Sequence, residues 1–388
     1  MTIPALPARG VLPRDLHPVA WWIWALGLAA AASRTTNPWL LGMVVLVASL
    51  MVVARRGDAP WALSFRLYLL LGLVVVVLRV VFRVLFGGGL GETVLLDLPA
   101  VPLPEWTSGI TLLGPVTSES LLAGLYDGMR LAAVIICVGA ANSLANPRRL
   151  LASLPSALYE VGTAVVIALS LFPQLAESVQ RVRRARRLRG DPGRGIGALR
   201  RVVVPVLEDA LERSLALAAS MDARGYGRAG ELGRGQRRVT GTLLVGGLLG
   251  LTVGSYAFLD STAPRLLAWP MLVAGLALAA GGLVSAGRRV VRTRYRPERW
   301  QPADLLTAAT GVAAAGLMVA AAASRPDVVL PVVTAAPPLS LLALTAVLVA
   351  TLPAFLTPPP VLSVPAGGTP DASPARAADE EARRDRVA

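Results

Sequence analysis

Long uninterrupted apolar runs constrain this chain more than any other feature. They fall at about 19–33, 38–54, 61–82, 121–141, 157–176, 241–259, 266–286, 303–323 and 328–356. A helix needs about 20 apolar residues to cross a bilayer, and several of the runs reach that length. The bilayer core offers the backbone no water, so these runs must satisfy their own peptide groups as helices. Only 16% of the 388 residues are charged, and mean hydropathy is +0.61. A soluble domain carries about 25% charged residues. Length alone would allow two or three soluble domains; the deficit of charge makes one all-α polytopic membrane protein the expectation. The first two runs are short and are separated by Ser33-Arg34-Thr35-Thr36-Asn37-Pro38. They read either as tilted spans or as a tight hairpin that does not fully cross.

The net charge of +14, from 38 basic and 24 acidic residues, permits binding to nucleic acid or to anionic lipid. Its distribution favours membrane lipid and no nucleic acid. The basic residues gather in loops beside the apolar runs, at 55–56, 146–149, 181–201, 224–238 and 288–299, as the positive-inside rule describes. These loops cannot all face the cytoplasm if every run crosses once. With the N-terminus inside, five crossings would put 181–201 outside, against nine arginines. Taking that block as cytoplasmic makes one early segment re-entrant, or leaves short basic loops on the unexpected side.

Residues 83–120 break the pattern. Gly87-Gly88-Gly89, prolines between 99 and 104, and the acids Glu92, Asp97, Glu105 and Glu119 predict an extracytoplasmic loop lying partly on the membrane. The expected organisation is N-terminal membrane helices over 1–176, a cytoplasmic region over 177–240, and C-terminal membrane helices over 241–356. A disordered cytoplasmic tail, 357–388, is rich in proline, alanine and charge. The first apolar run lacks a clear cleavage site and reads as retained. The expected location is a cell membrane, crossed many times, with the C-terminus cytoplasmic.

Cys137 and His17 are the only cysteine and histidine. An intramolecular disulfide is thereby excluded, and zinc or haem sites built on these side chains are disfavoured. The chain also lacks a Gly-x-x-x-x-Gly-Lys-Ser/Thr phosphate loop, so no cofactor of its own is expected.

The informative stretch is 171–228. Leu171, Leu175, Val179 and Val182 recur at helical spacing, while Arg181, Arg183, Arg184, Arg186, Arg187 and Arg189 make the other faces basic. Gly190 and Pro192 should stop this helix. A second amphipathic helix is expected to begin after Pro205, with Leu207, Leu211, Leu215, Ala218 and Met221 on one face. Three acids near its start and Arg224 at its end suit the helix dipole, and Gly225 should terminate it. The two helices end alike, in Leu188-Arg189-Gly190 and Ala223-Arg224-Gly225. A guanidinium at a stiff helix tip can enter a groove that contains carboxylates. Equally, both ends read as plain C-terminal caps with arginines facing water or headgroups.

These residues resemble the T component, the CbiQ-like transmembrane subunit, of energy-coupling factor (ECF) transporters. The strongest match is the helix from Pro205 to Tyr226, above all Ala218-Ala219-Ser220-Met221-Asp222-Ala223-Arg224-Gly225-Tyr226. Arg184-Ala185-Arg186-Arg187-Leu188-Arg189-Gly190 is similar to the first coupling motif, with Leu188 where the family has alanine. Leu16-His17-Pro18, Asp127-Gly128-Met129-Arg130 and Asn146-Pro147-Arg148-Arg149-Leu150-Leu151 also resemble family segments, the last with asparagine for the usual threonine. The resemblance covers about 12–260. It implies an ECF T-component-like helical bundle with two amphipathic cytoplasmic coupling helices and, here, extra C-terminal spans.

The same resemblance implies a subunit with no active site, held by two ABC-type ATPase subunits and by a small membrane S component that binds a vitamin or a metal ion. Arg189 and Arg224 would then be the coupling contacts, with Gly190 and Gly225 allowing close approach. Ala185 and Ala219 would keep the helices thin at a crossing, and Ala223 completes the second motif. A self-contained secondary transporter or channel is the alternative. Such proteins place ionisable residues within spans, and here the candidates are Arg66, Arg79, Arg130 and Asp260. Each also reads as a snorkelling or interfacial residue. An intramembrane enzyme is disfavoured because no serine has an evident base partner.

Overall fold

In the computed structural model the described residues are 14–57, 64–86, 91–99, 101–102, 111–153, 158–190, 196–225, 234–260, 264–287 and 299–360. Outside them lie the triglycine at 87–89, Glu105, Pro192, Arg194, Tyr226, most of the 224–238 and 288–299 loops, and the tail from 361. Two compact units are formed, Met1–Pro147 with Arg299–Ala388, and Arg148–Glu298.

The first unit holds α1 (Pro18–Ser33), α2 (Pro38–Arg55), α3 (Phe65–Phe86), α4 (Ser118–Leu144) and α10 (Pro302–Ser324), followed by α11 (Pro326–Val329), α12 (Leu341–Leu348) and α13 (Leu352–Leu356). Helix starts follow local chemistry. The His17 ring accepts from the Val19 N–H, Asn37 from Trp39 and Thr117 from Ser120, and Pro18 and Pro38 fill first-turn positions where no N–H is needed.

Helix α1 is the centre of this unit. Trp24, Ala25 and Leu28 are buried with Leu40, Leu41, Val44 and Met51 of α2, Ala133, Cys137 and Ala140 of α4, and Ala314 and Met318 of α10. Against α10 its backbone comes very close: a Cβ on Gly27 would stand 2.2 Å from the Gly311 carbonyl oxygen. Only glycine fits both sides of that contact, a device common where membrane helices pack closely. At α1's start the buried Asp304 carboxylate accepts from the His17 N–H at 2.8 Å and the Gln301 N–H at 2.9 Å, with Arg14 at 3.4 Å.

The last apolar run, expected as one span over 328–356, is broken. Pro331, Pro337 and Pro338 fall between α11 and α12, and helical structure resumes only at Leu341. Proline removes a donor and clashes with the preceding turn, so the run cannot continue as one helix. The freed carbonyls are met by other side chains. Thr35 donates to Val329 at 2.7 Å, and the Asn37 amide donates to Val328 at 2.9 Å and Pro338 at 2.8 Å. Irregular backbone is tolerated at membrane depth only when protein groups satisfy it in this way. Trp24 likewise donates to the carbonyl of Ala350, in the 3-10 turn Val349–Thr351, at 2.9 Å. Arg55 closes the end of α13 through the Ala354, Thr357 and Pro358 carbonyls.

The segment read from sequence as a loop contains strands. β1 (Val94–Asp97) pairs antiparallel with β4 (Pro115–Thr117), and β2 (Val101–Pro102) with β3 (Thr111–Leu112). Thr93, Val94 and Val116 suit an extended backbone, and Gly114 takes the positive φ of 120° needed beside β4.

The second unit holds α5 (Pro147–Ala152), α6 (Tyr159–Leu188), α7 (Ile196–Ala223), α8 (Arg234–Leu259) and α9 (Arg265–Gly287). Helices α8 and α9 form a hairpin packed through small residues: a Cβ on Gly275 would stand 2.5 Å from the Leu251 nitrogen, and one on Gly247 2.6 Å from that of Ala279. Among the described residues seven helices are long and apolar enough to cross a membrane, namely α2, α3, α4, α6, α8, α9 and α10. At 16 residues α1 is shorter, about 24 Å of helix against a hydrocarbon core of about 30 Å. The architecture is therefore a multi-spanning helical bundle, with helices present beyond the region of the resemblance.

Candidate functional site

Helix α6 is continuous from its apolar half into its arginine-rich half, with Pro173 inside it. Helix α7 begins at Ile196, nine residues before Pro205, and so corrects the expected start. Pro205 lies in its interior. Prolines within helices are tolerated where neighbouring groups and local adjustment accommodate the lost bond, and Pro205 itself is exposed.

The side chains that join the two helices are polar. Ser178, buried on α6, donates to Asp209 on α7 at 2.7 Å. Arg213 reaches the other carboxylate oxygen at 3.0 Å, and Arg181 approaches to 3.8 Å. The Ser178 hydrogen bond holds the Asp209 carboxyl below its ordinary value; partial burial opposes this, and Arg213 and Arg181 reinforce it. Leu171, Leu175, Val179 and Val182 are half-buried on the same helix, and Val206 of α7 is buried. Ala185 and Ala219 are exposed. Sequence reasoning missed Ser178 and Asp209; a serine and an aspartate 31 positions apart carry no local signal of pairing.

The face expected to be apolar on α7 is apolar and uncovered among the described residues, with Leu207, Leu211 and Leu215 each about 60% exposed. Both helix ends adopt the expected caps. Gly190 and Gly225 have φ of 73° and 76°, the left-handed conformation that glycine takes without a Cβ penalty. Their amides donate to the Arg187 and Asp222 carbonyls at 3.1 and 2.9 Å. Arg189 and Arg224, one residue before each glycine, are exposed. Neither guanidinium has a hydrogen-bond or ion-pair partner among the described residues. Leu188 is 90% exposed and Ala223 is exposed. Each tip thus presents a small or apolar side chain followed by an exposed cation.

No group of three histidine, cysteine, aspartate or glutamate side chains that could hold a metal occurs among the described residues. Cys137 is buried in α4 without a polar partner among them.

Seven helices long and apolar enough to cross a membrane define the class as a polytopic membrane protein. The family model described as CbiQ, cobalt transport protein, matches residues 11–232, more than half the chain, and the chain belongs to that family. It is a transport protein and not an enzyme. Neither curated proteins nor solved structures gave a match to it.

Proposed function

We propose that this chain is the transmembrane coupling subunit of an ATP-driven ECF-type importer. Two ABC-type ATPase subunits bind it from the cytoplasm, and a small membrane S component carries the vitamin or metal ion. The observation that carries this reading is the pair of matching helix tips, in which Arg189-Gly190 and Arg224-Gly225 each present an exposed guanidinium, unpaired among the described residues, at a glycine-terminated end. Family membership supports it independently.

On this reading 177–240 is cytoplasmic, and Arg189 and Arg224 enter carboxylate-bearing grooves on the two ATPases. Arginine suits the task because its planar fork pairs with a carboxylate through two hydrogen bonds. The glycine after each arginine removes a side chain from the approach. Motion of the ATPases reaches α6 and α7 as one body because Ser178, Asp209 and Arg213 tie the helices together. The exposed leucines of α7 face the lipid or the S component.

The test is recovery of the tagged chain from its native membrane in mild detergent, with its companions identified by mass spectrometry. ABC-type ATPases together with a small membrane protein are expected. Recovery of the chain alone, from membranes that contain such ATPases, would favour the self-contained transporter or channel.

A further inference from the structure

Helices α3 and α4 enclose a groove that the coupling function does not use. It has a volume of about 220 Å³ and is lined by Arg79, Phe82, Arg83 and Phe86 of α3 and by Gly124 and Asp127 of α4. The glycine face of α4 seats the arginine stems: a Cβ on Gly124 would stand 3.1 Å from that of Arg83, and one on Gly128 3.2 Å from that of Arg79. Arg79 and Arg83 are one helical turn apart, and neither has a hydrogen-bond or ion-pair partner among the described residues. Asp127 is the carboxylate of the groove, and it pairs with Arg130 at 3.2 Å. Two guanidiniums therefore line the groove beside one acid that is already paired, and the local charge is positive.

We propose that this groove binds the headgroup of an anionic phospholipid. An unpaired arginine in a membrane-spanning helix is costly, and a phosphodiester would accept hydrogen bonds from both Arg79 and Arg83. Phe82 and Phe86 stack with ring centroids 5.6 Å apart on the same helix, an aromatic wall suited to the level where headgroup meets acyl chain. Beyond them one face of α3 is exposed, with Leu70, Leu71, Leu73, Val74 and Leu78 open to the surroundings. That strip would carry the acyl chains, and a free anion would have no use for it. The groove is smaller than the roughly 300–1,000 Å³ of a site for a whole drug-sized molecule, as suits a headgroup whose tails lie outside.

The test is native mass spectrometry of the purified full chain, with any partners that accompany it, after exchange into phosphatidylglycerol or phosphatidylcholine. The wild type should retain phosphatidylglycerol selectively. Retention should fall by roughly fivefold for each arginine replaced in Arg79→Gln and Arg83→Gln. Arg66→Gln, in the first turn of the same helix, should leave it unchanged. Inorganic phosphate should not displace the lipid. Equal retention of the two lipids by the wild type would overturn the proposal whatever the variants do. So would an equal loss with Arg66→Gln, which would mark general charge attraction. Displacement by inorganic phosphate would reassign the groove to free anions.

Discussion

The Ser178 hydroxyl donates to the Asp209 carboxylate at 2.7 Å and so links α6 to α7 through one short hydrogen bond between elements otherwise rich in exposed leucine and arginine. Such a tie can hold two helices together where their apolar contact is sparse. A charge-assisted hydrogen bond is stronger and shorter than a neutral one. Arg213, one turn along α7, orients the same carboxylate.

The tie should depend on pH with a definite sign. Asp209 has a lowered pKa in the folded chain, first because of Ser178. Its stabilising contribution is therefore complete above the carboxylate's unfolded pKa and is lost as pH falls through the folded one. Spin labels on α6 and α7 should report a fixed separation at neutral pH and a broadened one in acid. Asp209→Asn should give the broadened distribution at neutral pH and remove the acid transition.

Gly190 and Gly225 test the caps without disturbing packing, since a Cβ at either position would meet nothing within 4 Å. Their φ values of 73° and 76° alone set the penalty. Alanine should destabilise the last turn by about 1 kcal/mol, seen as faster hydrogen exchange at the amides of Arg189 and Arg224. Asparagine, which tolerates this conformation, should exchange more slowly than alanine.

At the crossing of α1 and α10 the obstacle is backbone on both sides. A Cβ on Gly311 would stand 2.4 Å from the Trp24 Cα, and no side-chain rotation relieves that contact. Gly311→Ala should lower stability by about 1–3 kcal/mol, read as a fall in the thermal unfolding midpoint in detergent. Gly316→Ala, on the same helix with open space around it, should have little effect.

Removal of the buried carboxylate in Asp304→Ala would leave the His17 and Gln301 N–H groups without their acceptor. A loss of about 1–3 kcal/mol is expected, together with faster proteolysis near residues 14–17. Unchanged proteolysis would mean that Asp304 does not hold this segment.

Much of this architecture is legible in the sequence, for identifiable reasons. The apolar runs place α1, α2, α4, α9 and α10 to within a few residues because a bilayer leaves one state for such segments. Gly190 and Gly225 mark helix ends because a positive φ selects glycine. What was not legible is long-range or rests on compensation. Gly27 meets Gly311, and Asp304 receives His17, from far apart in the chain, and nothing local announces either. The start of α7 at Ile196 is hidden because Pro205 reads as a boundary, yet it is accommodated on an exposed face. Asn37 and Thr35 satisfy the break over 331–340, which hydropathy alone merges into one span. At the candidate site the arginine tips are legible, whereas the Ser178–Asp209 tie needs the geometry.

The central claim is that the Arg189 and Arg224 tips are the contacts through which partner ATPases act. The most direct measurement is the amount of ABC-type ATPase that copurifies with the Arg189→Ala, Arg224→Ala double variant, relative to wild type inserted in the membrane at the same level. Both side chains are exposed and unpaired among the described residues, so their removal should leave insertion and folding intact. The expected result is loss of most of the ATPase, with ATP-dependent uptake falling in parallel. ATPase recovery and uptake equal to those of the wild type would contradict the account.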